Sequence, residues 1–258
     1  MKKYKDKDWL KQKYLIEKLN IYQTGKLCNC SYMTIWRWLK KLNIQTRSVS
    51  EAKHLQRANH CQLSNKTRQW IDGELLGDGC LSSHSKYSAY FRYTSKYPQY
   101  IQYISNTLSS FGIKQTGKIQ KKYNKRWNCY TYCYVSSRYV ELLPIYKRWY
   151  PKDKKIIPKD LKLTPLVLRQ EMIGDGCLLH QKYGRPRIQL ATCGFPISDV
   201  KWLVEQLNKL DFKTTRLPAS NRIGISTKST RQFLDYIGEC PIECYKYKWN
   251  YKNKRREL

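Results

Sequence analysis

One eight-residue phrase occurs twice in the chain. Residues 74–81 read ELLGDGCL and residues 171–178 read EMIGDGCL. Six positions are identical, and the other two exchange one apolar residue for another. The aspartates, Asp78 and Asp175, lie 97 residues apart. A duplicated unit of about 100 residues is the mark of two similar halves packed about a pseudo-two-fold axis.

The likeness extends past the phrase. Thr94 precedes Pro98 by four residues, and Thr192 precedes Pro196 by four. An amphipathic helix is predicted after each proline. Tyr100, Ile101, Ile104, Leu108 and Phe111 mark the first, and Val200, Leu203, Val204, Leu207 and Leu210 the second. Each half reads as helix, two strands, helix, two strands, helix. Residues 8–42 predict three short helices, with Trp9, Leu10, Tyr14, Leu15 and Leu19 marking the first. The third, beginning after Ser31, turns Ile35, Trp38, Leu39 and Leu42 inward. The expected fold is α+β: two αββαββα repeats over residues 63–161 and 162–258, preceded by a small all-α unit and basic linker over residues 1–62. One further helix is expected within the linker.

Each repeated phrase closes an apolar helix, expected over residues 67–76 and 164–173. Thr164-Pro165 is an N-cap followed by proline at the first helical position. Gly79 and Gly176 are expected to end the helices in the left-handed conformation. The aspartates run against a purely structural reading, because a carboxylate at a helix C-terminus costs about 0.3–1 kcal/mol. If the two helices pack together, Asp78 and Asp175 meet near the axis and repel unless a proton or cation lies between them. Hard divalent cations with oxygen ligands relieve that repulsion. Gly77 and Gly174 would let the helices approach closely, and Gly73 extends the small stripe. Gln170 stands where the first helix has Gly73, so looser packing is expected on that side. Glu74 and Glu171 also match between the phrases, as helix-surface or supporting residues with no assigned chemistry.

Fifty Lys and Arg against nineteen Asp and Glu give a formal charge of +31. Such an excess calls for a polyanion, and nucleic acid offers regularly spaced phosphates. A merely soluble cationic protein and a membrane-surface binder are the competing readings. No run approaches the roughly 20 apolar residues of a membrane helix, and the N-terminus has no apolar secretory segment. Ten cysteines without a CxxC pair fit reduced thiols in an intracellular, reducing compartment; their spacing gives little support to a zinc site.

Alternation along the predicted strands places Ser88, Tyr90 and Arg92 opposite an apolar face. Arg185, Arg187 and Gln189, then Arg222 and Ser226, do the same in the second half. With Lys118, Gln120, Arg126 and Asn128 they are candidate DNA contacts, because a β-ribbon carrying such groups can read base edges in a major groove. In the N-terminal unit, two helices around a tight turn at Cys28-Asn29-Cys30 predict a helix-turn-helix. Thr34, Arg37 and Lys41 lie on its outer side.

The phrases IDGELLGDG (71–79) and LRQEMIGDG (168–176) resemble the paired motif helices of single-chain LAGLIDADG homing endonucleases. The resemblance covers about residues 63–250. It implies a saddle of strands over double-stranded DNA with a long asymmetric target, bound by a monomer. It implies Asp78 and Asp175 as ligands of Mg²⁺, with the backbone at Gly77 and Gly174 contributing. Mn²⁺ is expected to substitute, and Ca²⁺ to bind without supporting cleavage. Both strands would be cut across the minor groove, leaving short 3′ overhangs. The family places a basic residue near each active site; KKIIP (154–158) and YKYKW (245–249) supply Lys155 and Lys248, the latter chosen over Lys246. The resemblance also leaves open an intron RNA maturase on the same fold. The helix-turn-helix resembles modules appended to some mobile-element nucleases; a transcriptional regulator built on it is a further alternative.

Overall fold

Two clusters of buried side chains organise the protein, one in each of two units, Met1–Ala58 and Asn59–Leu258. The computed structural model describes residues 2–49, 51–53, 58–126, 128–180 and 185–251.

The N-terminal unit is helical. α1 (Lys7–Lys11) is capped by the Asp6 carboxylate, which accepts from the Asp8 and Trp9 amides. It runs into a π-helical segment, Gln12–Ile16, rather than continuing as one α-helix. The Glu17 amide accordingly donates to Gln12 O. The wider turn shifts the helical phase, so Leu10 and Tyr14 are buried while Leu15, expected in the core, is exposed. α2 (Ile21–Leu27) starts at a reciprocal capping box between Asn20 and Gln23. A turn with Asn29 at positive φ leads to α3 (Tyr32–Lys41), whose N-cap Ser31 accepts from the Thr34 amide. Ile35 and Leu39 are fully buried, with Trp38 and Leu42 packed at the margin. The helix expected in the linker falls partly on residues 50 and 54–57, outside the described residues.

The second unit contains two sequential repeats of one pattern. The first has α4 (Asn65–Leu76), β1 (Cys80–Ser85), β2 (Ser88–Ser95), α5 (Pro98–Ser110), β3 (Gln120–Asn124), β4 (Cys129–Val135) and α6 (Leu142–Trp149). The second has α7 (Pro165–Gly174), β5 (Gly176–Leu179), β6 (Arg187–Leu190), α8 (Ile197–Lys209), β7 (Thr214–Leu217), β8 (Arg222–Ile225) and α9 (Thr227–Ile237). Both sheets are antiparallel with the same order, β1-β2-β4-β3 and β5-β6-β8-β7. Register carries the duplication to single residues. Cys80 pairs with Arg92, and Cys177 pairs with Gln189, which aligns Tyr93 with Leu190 on the next position.

The strands alternate as expected. In β2, Ala89, Phe91 and Tyr93 are buried while Arg92 and Thr94 are exposed. In β6 and β8, Ile188, Leu190, Ile223 and Ile225 are buried while Arg187 and Arg222 are exposed. One face of each sheet packs on helices in a single core, and the other remains polar.

α4 and α7 form the seam between the repeats and pack along one another. Ser64 caps α4 and Thr164 caps α7, each accepting from the amide three residues on. A Cβ added to Gly73 would lie 2.7 Å from Val167 O and 2.8 Å from Gln170 Cβ. This corrects the expectation of looser packing beside Gln170, because the missing side chain at Gly73 is the space Gln170 fills. Gly79 and Gly176 also depart from expectation. Positive φ among the described glycines occurs only at Gly112, Gly117 and Gly238. Gly79 and Gly176 instead permit close contact with the helix just left. An added Cβ would sit 2.7 Å from Glu74 O at Gly79 and 2.6 Å from Met172 Cα at Gly176.

Candidate active site

The last turns of α4 and α7 meet glycine to glycine. A Cβ on Gly77 would lie 3.4 Å from Gly174 Cα, and one on Gly174 would lie 3.2 Å from Gly77 Cα and 3.0 Å from the Asp78 amide nitrogen. Asp78 and Asp175 follow these glycines, so both carboxylates emerge where the seam opens. Asp78 is exposed and Asp175 half-buried. Burial, and then the neighbouring charge of Asp78, push the Asp175 carboxyl up to about 7, against the opposing pull of Lys155, Lys248 and Arg222.

Two lysines explain how the helix ends tolerate those carboxylates. Lys155 Nζ donates to Gly77 O at 3.1 Å and Gly79 O at 3.0 Å. Lys248 Nζ donates to Met172 O at 3.3 Å, Ile173 O at 2.6 Å and Gly174 O at 3.1 Å. Each ammonium thus covers carbonyls left free at one helix C-terminus and offsets its partial negative charge. The backbone at Gly77 and Gly174 was expected to contribute to a metal site; the carbonyl oxygen of each accepts a bond from a lysine. Burial lowers the pKa of both lysines. Asp175 gives the largest opposing pull on Lys155, and Asp78 on Lys248. Lys155 is fixed by its neighbours. The Ile156 amide donates to Trp149 O, while the Ile157 amide and Lys159 both bond the Asp199 carboxylate. Lys248 sits in a 3₁₀ segment, Glu243–Trp249, pinned by Trp249 Nε1 on Gly238 O. Lys246, the alternative, is exposed and pairs with Glu243.

The glutamates of the repeated phrase are not surface residues. Glu74 is 1% exposed and Glu171 0%. Glu74 Oε1 accepts from Tyr100 Oη at 2.7 Å and Gln170 Nε2 at 2.6 Å, and burial raises its pKa to about 8. Both oxygens of Glu171 lack a hydrogen-bond partner among the described residues. Burial, reinforced by Asp175, raises that carboxyl well above the ordinary range. Tyr93 Oη lies 3.4 Å from Asp78 Oδ2, whereas its register counterpart Leu190 has no hydroxyl. The two half-sites therefore share a carboxylate and a lysine but differ in the groups around them. The glutamates lie one helical turn before each aspartate and recur in both phrases; the sequence marked Gln170 only for packing and Tyr100 only as a helix-face residue, and nothing in it tied Tyr93, Tyr100 or Gln170 to the carboxylates.

The candidate DNA contacts divide in the same way. Arg92, Gln120, Arg187 and Arg222 are exposed on strands, and Tyr90 and Gln189 are half-exposed. Lys118, Arg126, Asn128 and Arg185 are exposed beside strands, with Tyr123 Oη donating to Asn128 Oδ1. Arg222 Nη1 donates to Gln189 Oε1 at 3.3 Å, across the β6–β8 pair. Two positions do not face outward. Ser88 is buried opposite Ser85, at the end of a register irregularity between Ser82 and Ser85, with Ser83 Oγ donating to its carbonyl. Ser226 is the N-cap residue of α9, and its Oγ is buried. In α3, Arg37 and Lys41 are exposed. Thr34 is half-buried, its hydroxyl 3.3 Å from Ser31 Oγ, and so belongs to the helix start rather than the outer face.

Two αββαββα repeats in one chain, joined by helices that each end on an aspartate, define the architecture expected from the repeated phrase. Residues 68–233 match the profile of the LAGLIDADG DNA endonuclease family. The chain belongs to that family. An uncharacterized protein of Methanocaldococcus jannaschii is 29% identical over 220 residues, covering 80% of each chain. The fold is also similar to that of the homing endonuclease I-WcaI bound to its DNA recognition sequence. That match has a TM-score of 0.66 and 19% identity, and covers 83% of this chain and 97% of that one.

Proposed function

We propose that this protein is a site-specific homing endonuclease that hydrolyses one phosphodiester in each strand of a DNA duplex. The observation that carries this reading is the pairing of Asp78 and Asp175 across the Gly77–Gly174 contact, with a lysine at each helix end. Each half-site serves one strand. Cuts placed across the minor groove leave short 3′ overhangs. The polar strand faces bearing Arg92, Gln120, Arg187 and Arg222 lie in the major groove, and the N-terminal unit adds contacts through Arg37 and Lys41. The protein acts as a monomer, since both half-sites lie in one chain.

A divalent cation fits the donors present. Two neighbouring carboxylates repel, as the raised Asp175 carboxyl reflects, and a hard cation reverses that penalty. Mg²⁺ retains several waters and takes one or two carboxylates with substrate phosphates, so a dense cluster of protein ligands is not required. Asp78 and Asp175 would hold it, and when bound it would polarise phosphate oxygens and favour ionised water. Mn²⁺ would substitute, and Ca²⁺ would bind without supporting cleavage. Lys155 and Lys248 supply positive charge beside each carboxylate, orienting the attacking water and stabilising charge that develops on phosphate. Tyr93 orients Asp78 in one half-site only.

The test is cleavage of a plasmid carrying the selected target in Mg²⁺ by the wild type, Asp78→Asn and Asp175→Asn. Wild type is expected to yield linear DNA, and each variant none. Linear product persisting in either variant would remove that aspartate from the reaction.

A further inference from the structure

The outer face of α3 carries more than phosphate binding requires. Tyr32, Met33 and Trp36 remain 40%, 41% and 43% exposed, whereas Ile35 and Leu39 of the same helix are fully buried. Arg37 and Lys40 continue the same face toward the C-terminal end of the helix. Tyr22 of α2 is 52% exposed and stacks on Tyr32, with ring centroids 4.4 Å apart and planes at 28°. Lys40 Nζ lies 5.9 Å from the Trp36 ring centroid. The surface is therefore an apolar strip spanning α2 and α3, bordered by cations. Between Glu17 and Glu51 the chain has six Lys and Arg and no carboxylate.

One kind of partner offers closely spaced anions beside small apolar groups. The major groove of duplex DNA carries the thymine 5-methyl between two phosphate ridges, and side chains such as these contact it without hydrogen bonds. An apolar protein partner would leave the cations unmatched, whereas phosphates alone would leave Met33 and Trp36 in water. We propose that Met33 and Trp36 read thymine methyl groups, with Tyr32 held in place by Tyr22 and with Arg37, Lys40 and Lys41 on the flanking phosphates. The N-terminal unit is then a thymine-selective reader of duplex DNA. This deepens the DNA-binding reading of that unit and is independent of cleavage at Asp78 and Asp175.

The test measures binding of the full chain, in EDTA so that no cleavage intervenes. One probe is a short alternating dA–dT duplex, and the other is the same duplex with deoxyuridine replacing thymidine. Two methyl groups buried at about fourfold each give the wild type roughly fifteenfold preference for thymine. Met33→Ala with Trp36→Ala is expected to bring that ratio close to one while leaving the salt dependence unchanged, because no charge is lost. Lys40→Gln should weaken both probes alike and lower the salt slope by about one. Thymine preference retained in the Met33/Trp36 double variant would place methyl reading elsewhere and overturn the proposal. So would a wild-type ratio of one, which would leave the strip to a protein partner. Neither result bears on the plasmid assay for the aspartates.

Discussion

Replacing Glu74 with glutamine should make the metal-free protein more stable in alkaline buffer than in acid, relative to wild type. The Glu74 carboxyl is buried in the helix seam, and its pKa is raised from 4.5 to about 8. Below the lower value it is protonated in both folded and unfolded chains and contributes no pH dependence. Between the two values the unfolded chain has lost the proton and the folded chain still holds it, so stability falls as pH rises. The loss accumulated by pH 8 is about 4 kcal/mol, and it is complete once the folded carboxyl has also ionised. Glutamine does not titrate, and its amide oxygen can accept the same bonds from Tyr100 and Gln170. Glu171 and Asp175 remain in both proteins, so the difference between wild type and Glu74→Gln isolates Glu74. Urea titrations of the full chain in EDTA, followed by circular dichroism at several pH values, measure this difference. With a slope of about 2 kcal/mol per molar urea, the gap between the midpoints should widen by about 2 M from mildly acidic buffer to pH 8. Midpoints that stay parallel across that range would show that Glu74 ionises normally in the folded protein and refute the reasoning.

Further outcomes follow from the same seam. Gly73→Ala forces a methyl against the Val167 backbone and should cost about 3 kcal/mol by urea titration, whereas Gly77→Ala meets only a 3.4 Å contact and should cost under about 1 kcal/mol. Lys248→Met removes the donor from three carbonyls of α7 and should slow cutting of one strand roughly 100-fold, with Lys155→Met slowing the other. Strand-resolved gels separate these effects, and equal slowing of both strands by either variant would refute one lysine per strand. Asp175→Asn should raise metal-free stability at pH 8, because the folded carboxyl titrates at about 7 and the unfolded one at 3.8; saturating Mg²⁺ should narrow that gap in thermal melts. Tyr93→Phe should slow the strand served by Asp78 a few-fold and leave the other unchanged, since Leu190 offers no hydroxyl to the second half-site.

Much of this arrangement was legible from spacing. The 97-residue offset predicted two equivalent sheets, and the register of Cys80 with Arg92 and of Cys177 with Gln189 reproduces it. Thr164-Pro165 marked a helix start because capping is chemistry between near neighbours. Alternation identified Arg92, Arg187 and Arg222 as outward-facing because a strand has a period of two. The errors arose where local rules met tertiary contacts. Gly79 and Gly176 were assigned left-handed conformations from the general habits of glycine, yet their function is to clear space for the preceding helix. Ser88 and Ser226 fit the alternation but lie at a hairpin irregularity and a helix cap, where burial no longer follows the pleat.

The sequence by itself determined the duplication, the order of helices and strands, the polar strand faces and the recurrence of an aspartate at each helix end. These are periodic or short-range properties, set by backbone geometry and neighbouring side chains. The environment of those aspartates was decided only by tertiary structure. Lys155 is 77 residues from Asp78, and Lys248 is 73 residues from Asp175, yet each reaches the carbonyls beside its aspartate because the chain returns to the helix seam. The same closure buries Glu74 with Gln170 of the other repeat and leaves Glu171 without a donor among the described residues. Two nearly identical phrases thereby acquire different surroundings, since burial and charge pairing depend on what the rest of the chain brings to each helix end.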